Sequence, residues 1–283
     1  MSRTPGQRLQ RGLKTTSRRG LRLNFRLKKL FGQQGKTIFI SALPKSGSTY
    51  LVKALAAITG YQSFFLGYHQ LNEQDLYLPN LIDAWSMNTI SHQHTRPSGP
   101  NLDLMAQFSI RPVILTRNIH DAVVSLTDHL ETESAHTPLL NVPGDFMERT
   151  RDARLDLVID LAAPWYIRFT ADWSHAGRDC LWLSYEDLIK DGVTAVNDIL
   201  NFYGLGAAIS AIEQALAGAR GSGSRFNQGI QGRGDRELDD EQRARIDRLA
   251  RILDEPKCAS NFVQVRIKLQ PLRIRQRDLD PIC

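Results

Sequence analysis

Lys45, Ser46, Gly47, Ser48 and Thr49 place an ammonium, three hydroxyls and a bare backbone position in one short stretch. That combination suits an anion. Gly47 lets a ligand come close to the main chain, Lys45 offers a mobile charge, and Ser48 and Thr49 offer hydroxyl donors. The flanks agree. Thr37-Ile38-Phe39-Ile40 is the apolar run of a buried strand, and a helical pattern extends from Leu51 to about Thr59. A strand, a small-residue loop and a helix start form a phosphate cradle, because loop amides and the positive end of the helix dipole converge. The loop is not a Walker A motif: there the lysine follows the second glycine, whereas Lys45 precedes Gly47. The same residues would also make an ordinary Gly/Ser turn.

A second segment, Arg111 to Asp121, repeats the strand, turn and helix-start pattern. Arg117 stands at the carboxyl end of its strand, the edge where open α/β sheets collect ligands. Asp121 is placed to cap a helix over Ala122 to about Leu130. Ser125 lies one turn into that helix and could face Arg117. A guanidinium fork with a hydroxyl suits a monoester phosphate; the alternative is a surface ion pair and a solvated serine. A third segment, Leu181 to Asp191, reads as a strand ending near Ser184, followed by Tyr185. Ser224 to Gly234 is a basic loop with too many glycines for a helix or a central strand.

The order Pro-Lys-Ser-Gly-Ser-Thr-aromatic at residues 44–50, with Arg-Asn-x-x-Asp-x-x-x-Ser at 117–125, resembles the sulfotransferases that use 3′-phosphoadenosine 5′-phosphosulfate (PAPS). The resemblance spans about Lys36 to Asp254. It implies Lys45, Ser46, Gly47, Ser48 and Thr49 around the 5′-phosphosulfate, and Arg117 and Ser125 on the 3′-phosphate. It puts Tyr50 and Tyr185 beside the adenine. Two departures are visible. Many members have Trp where this chain has Tyr50. The Arg-Lys-Gly of animal cytosolic members is Asn227-Gln228-Gly229 here, leaving Arg225, Arg233 and Gly234 to supply the loop's contacts. The implied reaction is in-line sulfuryl transfer to an acceptor hydroxyl or amine, governed by positioning and charge as in phosphoryl transfer. Lys45 would stabilise the leaving oxygen.

Family members often carry His-x-Pro after a strand, and here His94 precedes Pro97. His94 is the expected general base, with His92 the runner-up on the same face if both stay on a strand. Some carbohydrate sulfotransferases use a carboxylate base, a role open to Glu73, whose commoner alternative is an exposed helix cap. No metal is required by this logic, and no Cys/His/carboxylate set has metal-ligand spacing. The segments 68–98 and 132–143 are expected on the acceptor side, where their residues suit a carbohydrate, a phenol, a glycolipid headgroup or another small molecule.

The elements that must hold these residues are strands near 37–43, 63–66, 88–91, 113–116 and 180–184, separated by helices. That alternation predicts a three-layer α/β, P-loop-like fold with a central parallel sheet flanked by helices. A long helix from about Arg151 to Ala176 is expected to kink or divide at Pro164. A helix from Leu238 to about Leu253 opens with an Asp239/Gln242 capping box and shows Ile246, Leu249, Ile252 and Leu253 as its apolar stripe.

Residues 35–283 form the expected domain, and 1–34 a basic arm, partly disordered. Residues 1–35 contain ten Lys/Arg, and the first acidic residue is Glu73. The net charge of +6 is therefore local, which weakens a specific nucleic-acid role. The arm is expected first to be solvated or to pack on the domain, next to touch an anionic membrane surface, and last to be an organelle transit segment or to bind RNA non-specifically. No apolar run approaches a spanning helix, and three scattered cysteines imply no disulfide framework. A cytoplasmic protein, with a possible peripheral membrane contact, is the expectation. A nucleotide-dependent kinase with a variant loop and a non-catalytic binding module are the alternatives. Oligomeric state has no signature in the sequence.

Overall fold

The computed structural model describes residues 32–69, 72–132, 140–177, 179–221 and 231–253. Its strands are β1 (Thr37–Ala42), β2 (Gln62–Ser63), β3 (Gly67–His69), β4 (Asn72–Leu76), β5 (Thr89–Gln93), β6 (Pro112–Thr116) and β7 (Leu181–Ser184). Five of them form a sheet in the order β2-β5-β1-β6-β7, every pairing parallel. Covered faces explain why β1 reads as an almost unbroken apolar run. Residues alternate across it: Ile38, Ile40 and Ala42 enter one core cluster, Phe39 the other.

The helices are α1 (Ser48–Thr59), α2 (Leu78–Ala84), α3 (Gly99–Gln107), α4 (Ile119–Thr132), α5 (Arg151–His175), α6 (Tyr185–Lys190), α7 (Gly192–Phe202), α8 (Ile209–Gly221), α9 (Arg233–Glu237) and α10 (Asp240–Leu253). One layer buries Leu51 and Leu55 of α1, Val196 and Ile199 of α7 and Ile212 of α8 against the sheet. The opposite layer buries Val123 and Leu126 of α4, Ile159 and Phe169 of α5 and Ile246 of α10. Three layers around a parallel sheet are the architecture the sequence pattern requires.

Several local expectations are corrected. Pro164 does not divide its helix; it lies inside α5. Asp121 does not cap α4; the helix starts at Ile119, and Asn118 Oδ1 accepts the Asp121 N–H at 3.2 Å. The α10 capping box is present, with Gln242 N–H donating to Asp239 Oδ1 at 2.7 Å and Asp239 N–H to Gln242 Oε1 at 3.2 Å. Ile252, however, leaves the apolar stripe and is 78% exposed. Glu73 is not a helix cap but part of β4, which pairs antiparallel with β3. Asn-Glu-Gln-Asp carries little strand propensity; side chains from elsewhere hold it. Asn101 accepts the Leu76 N–H and donates to Gln74 O. Thr95 Oγ1 and Gln93 Nε2 donate to Glu73 O at 3.3 and 3.4 Å.

Candidate active site

Parallel pairing brings the carboxyl ends of β5, β1, β6 and β7 to one edge. The loop after β1, His94, Arg117 and Tyr185 therefore come from four adjacent strands. The loop is braced from within: Leu43 N–H bonds Leu115 O at 2.8 Å, and Ser46 Oγ donates to Leu43 O at 2.6 Å. Ser46 is fully buried, so its hydroxyl holds the loop's shape. Lys45 and Gly47 have φ of 65° and 81°. Glycine takes that conformation freely. For Lys45 it costs about 1–2 kcal/mol, a strain of the kind that gathers at functional sites. Ser48 is buried and Thr49 partly buried in the first turn of α1.

Arg117 is 5% exposed. Its guanidinium carbon lies 4.2 Å from the centre of the Tyr185 ring, a cation–π contact. Nη1 donates to Lys45 O at 2.8 Å, joining the second segment to the first. Nη2 is 4.0 Å from Asp121 Oδ2. Asp121 in turn accepts the N–H groups of Gly232 (2.8 Å) and Gly234 (2.7 Å). Gly234 has to be glycine, because a Cβ there would lie 2.3 Å from His120 Cβ. Asp121 thus ties the glycine-rich segment to α4, a role the cap reading missed. An acid four residues after Arg117 was the available signal. Ser125 is buried further along α4.

Other residues depart from their expected places. The strand ends at Ser184 as expected and Tyr185 opens α6, but its side chain is buried. One face carries Arg117, and its ring edge lies 3.1 Å from where a Cβ on Gly47 would stand. Burial pushes its hydroxyl pKa upward. Tyr50 is also buried, among Leu51, Ile40 and Val113 of the core. Both rings are therefore packed rather than open to a base. Arg233 does not turn to the loop: Nη1 donates to Asp128 Oδ2 at 2.6 Å and Nε to Glu237 Oε1 at 2.7 Å. Burial opposes its charge, but these bonds prevail and raise its pKa. Arg225 lies outside the described residues.

The donor set fits a nucleotide carrying phosphates. Among the described residues, Arg117 Nε and the Tyr166 hydroxyl are buried without a hydrogen-bond partner, although buried donors are nearly always paired. Arg117's charge acts on Tyr166, whose pKa burial nevertheless raises well above the usual range. A guanidinium with an unspent N–H beside a glycine loop can receive an anion.

At the end of β5, His94 Nδ1 lies 2.7 Å from Ala42 O. A carbonyl can only accept, so Nδ1 carries the proton and Nε2 of the neutral ring is the lone pair. Burial lowers the His94 pKa to about 4; the Ala42 bond opposes this and His92's charge adds to it. His92 is itself lowered by burial. Trp165 of α5 packs edge-on against His94, with centroids 6.4 Å apart. Glu73 Oε2 lies 3.6 Å from His94 Nε2, and burial raises Glu73 to about 7. A polar cleft of about 210 Å³ is lined by Gln74, Asp75, Arg96, Pro97, Ser98 and Asp172, most of which follow Glu73 or His94 in the chain.

A phosphate-type loop on the first strand of a parallel sheet, faced by a buried arginine from the next, defines a P-loop-like α/β protein. The family model for the sulfotransferase domain matches residues 36–220. The chain belongs to that family. Similar folds occur in mouse sulfotransferase SULT7A1 complexed with PAP, at 16% identity and TM-score 0.62, covering 88% of this chain and 94% of that one. They occur also in retinol dehydratase in complex with androsterone and the inactive cofactor PAP, at 14% identity and TM-score 0.56, covering 82% and 85%. Retinol dehydratase with retinol and PAP gives 16% identity and TM-score 0.54, covering 81% and 85%. A search of curated proteins by sequence finds no match. No helix among the described residues is long and apolar enough to cross a membrane.

Proposed function

We propose that the protein moves a sulfuryl group from PAPS to an acceptor hydroxyl. The observation that carries this reading is Arg117, buried on Tyr185, bonded to Lys45 O and with no partner for Nε among the described residues. Membership of the sulfotransferase family and the PAP named in the similar structures support the donor. PAPS would supply the activated sulfuryl group and a phosphate leaving group. Lys45, the amide of Gly47 and the hydroxyls of Ser48 and Thr49 would hold its 5′ end, with Lys45 offsetting the charge that grows on the leaving oxygen. Arg117 and Ser125 would hold the 3′-phosphate, and Arg225 would assist from the glycine loop. His94 Nε2, an unprotonated lone pair at neutral pH, would receive the acceptor's proton.

The acceptor would be a polyhydroxyl compound, such as a carbohydrate. Support comes from the polar cleft lined by Gln74, Arg96, Ser98 and two aspartates, mostly residues that follow Glu73 and His94 in the chain. The androsterone and retinol named with retinol dehydratase are apolar by comparison. The basic residues 1–31 lie outside the described part, and we assign them to contact with an anionic membrane surface, on the strength of their charge.

Calorimetric titration with 3′-phosphoadenosine 5′-phosphate (PAP), AMP and ATP tests the donor. Micromolar binding of PAP, at least tenfold weaker binding of AMP, and loss of PAP binding in Arg117→Ala are expected. Equal affinity for AMP and PAP, or a preference for ATP with Mg²⁺, would overturn the reading.

A further inference from the structure

Glu73 and His94 face each other on the acceptor side of the sheet edge, each less than one-fifth exposed. The 3.6 Å between Glu73 Oε2 and His94 Nε2 is too long for a direct hydrogen bond. One oxygen atom can be within hydrogen-bond distance of two groups at that separation. His94 is held at Nδ1 by Ala42 O and on its flank by Trp165. Glu73 is held through its backbone, whose carbonyl accepts from Gln93 Nε2 and Thr95 Oγ1, the residues on either side of His94. The bonds that fasten β4 to the end of β5 therefore set the backbones from which the two side chains face each other.

The ordinary order of proton affinities is reversed here. Burial alone raises Glu73 to about 7, and burial lowers His94 to about 4 with His92 acting in the same direction. The other titratable and charged groups near the pair include Lys45 on the loop after β1, His92 on β5, Asp75 on β4 and Arg96 after β5, which is ion-paired with Asp172 of α5, while Trp165 of α5 is uncharged. Pairs of groups whose environments set their proton affinities apart mark an acid and a base. A proton arriving at His94 Nε2 has a stronger acceptor beside it.

On the reading of the chain as PAPS-dependent, we propose that Glu73 is a second catalytic residue: the acceptor's proton passes to His94 Nε2 and comes to rest on Glu73 Oε2. The acceptor oxygen forms the new S–O bond. The S–O bond to the nucleotide's 5′-phosphate breaks, and its electron pair stays on that phosphate. The released proton converts the Glu73 carboxylate to the acid, which returns it to solvent between turnovers. His94 thereby remains neutral and ready, although its own affinity for a proton is low.

The test follows the His94 ring nitrogens by NMR in the full chain labelled with nitrogen-15 histidine and saturated with PAP, from about pH 4 to about pH 9. The expected result is a neutral, Nδ1-protonated ring across the upper range. Its Nε2 resonance should show one small step near pH 7, and Glu73→Gln should abolish that step. Glu73→Asp, which keeps a carboxylate on a shorter arm, should retain the step with smaller amplitude. A His94 ring that becomes imidazolium near pH 6.5, unchanged by Glu73→Gln, would overturn the proposal. With PAPS and any acceptor that is turned over from a set containing 2-naphthol, a primary alkanol and glucosamine, kcat/KM should rise through about pH 7. Glu73→Gln should lower it on the order of 10²-fold and remove that limb. An unaltered pH profile in the variant would also overturn the proposal. Failure of the donor reading shows separately, as absence of PAP binding. The titration is then made on the unliganded chain, where the Glu73-dependent step is still expected. Circular dichroism of both variants separates loss of the pair from loss of the fold.

Discussion

Glu73 and His94 also make a prediction about stability, because each is shifted from its ordinary value in the opposite sense. His94 falls from 6.5 to about 4, so the unfolded chain binds more protons in that window and stability rises with pH across it. Glu73 rises from 4.5 to about 7, so the folded chain binds more protons and stability falls as pH climbs through that range. Each shift corresponds to roughly 3 kcal/mol at about 1.4 kcal/mol per unit. In the wild type the two slopes nearly cancel between about pH 4.5 and 6.5. His94→Asn should expose the falling slope and Glu73→Gln the rising one. Urea midpoints measured at half-unit pH steps decide this; parallel curves for all three proteins would refute the paired shifts. At this scale the sequence was partly legible. Lys45, Gly47 and Arg117 announce themselves because chemistry needs their residue types in that order. Tyr50, Tyr185 and Arg233 did not, because whether an aromatic ring or a guanidinium meets a ligand or a neighbour depends on packing. Arg233 found Asp128 and Glu237 first.

The strands, helices and parallel order follow from apolar runs and their alternation, and so were readable along most of the chain. The β3–β4 hairpin was not. Its polar strand is held by Asn101, Thr95 and Gln93 from distant segments, and no local pattern encodes such bonds. The tether between α4 and α9 is of the same kind. Asp121 accepts two backbone N–H groups from the glycine segment while its neighbour Gly234 touches His120. Asp121→Asn removes the charge and turns one acceptor into a donor, leaving one N–H unpaired. A loss of about 1–3 kcal/mol is expected in urea unfolding, with weaker PAP binding, because Arg117 rests beside the same carboxylate. Gly234→Ala should cost a similar amount through the contact with His120. Thermal unfolding at the wild-type temperature in both variants would mean that the tether is not strained or loaded in solution.

Charge is divided unevenly over the whole molecule. Residues 1–31 hold ten of the basic residues and no acid, so against a total of +6 the remainder of the chain nets −4. An acidic body would be repelled by an anionic bilayer, and a basic arm attracted by about 1 kcal/mol for each Lys or Arg close to the surface. The attraction fades within a Debye length of about 10 Å at 0.1 M salt. Full-length protein should therefore sediment with vesicles containing phosphatidylserine at low salt and be released as salt rises to about 0.5 M. Deletion of residues 1–31 should abolish sedimentation while leaving PAP affinity within about twofold, because Lys45, Arg117 and the residues that brace them all lie outside the arm. Binding that survives the deletion, or resists salt, would place the membrane contact elsewhere on the protein. A fall in PAP affinity after the deletion would show instead that the arm's charge serves the nucleotide site.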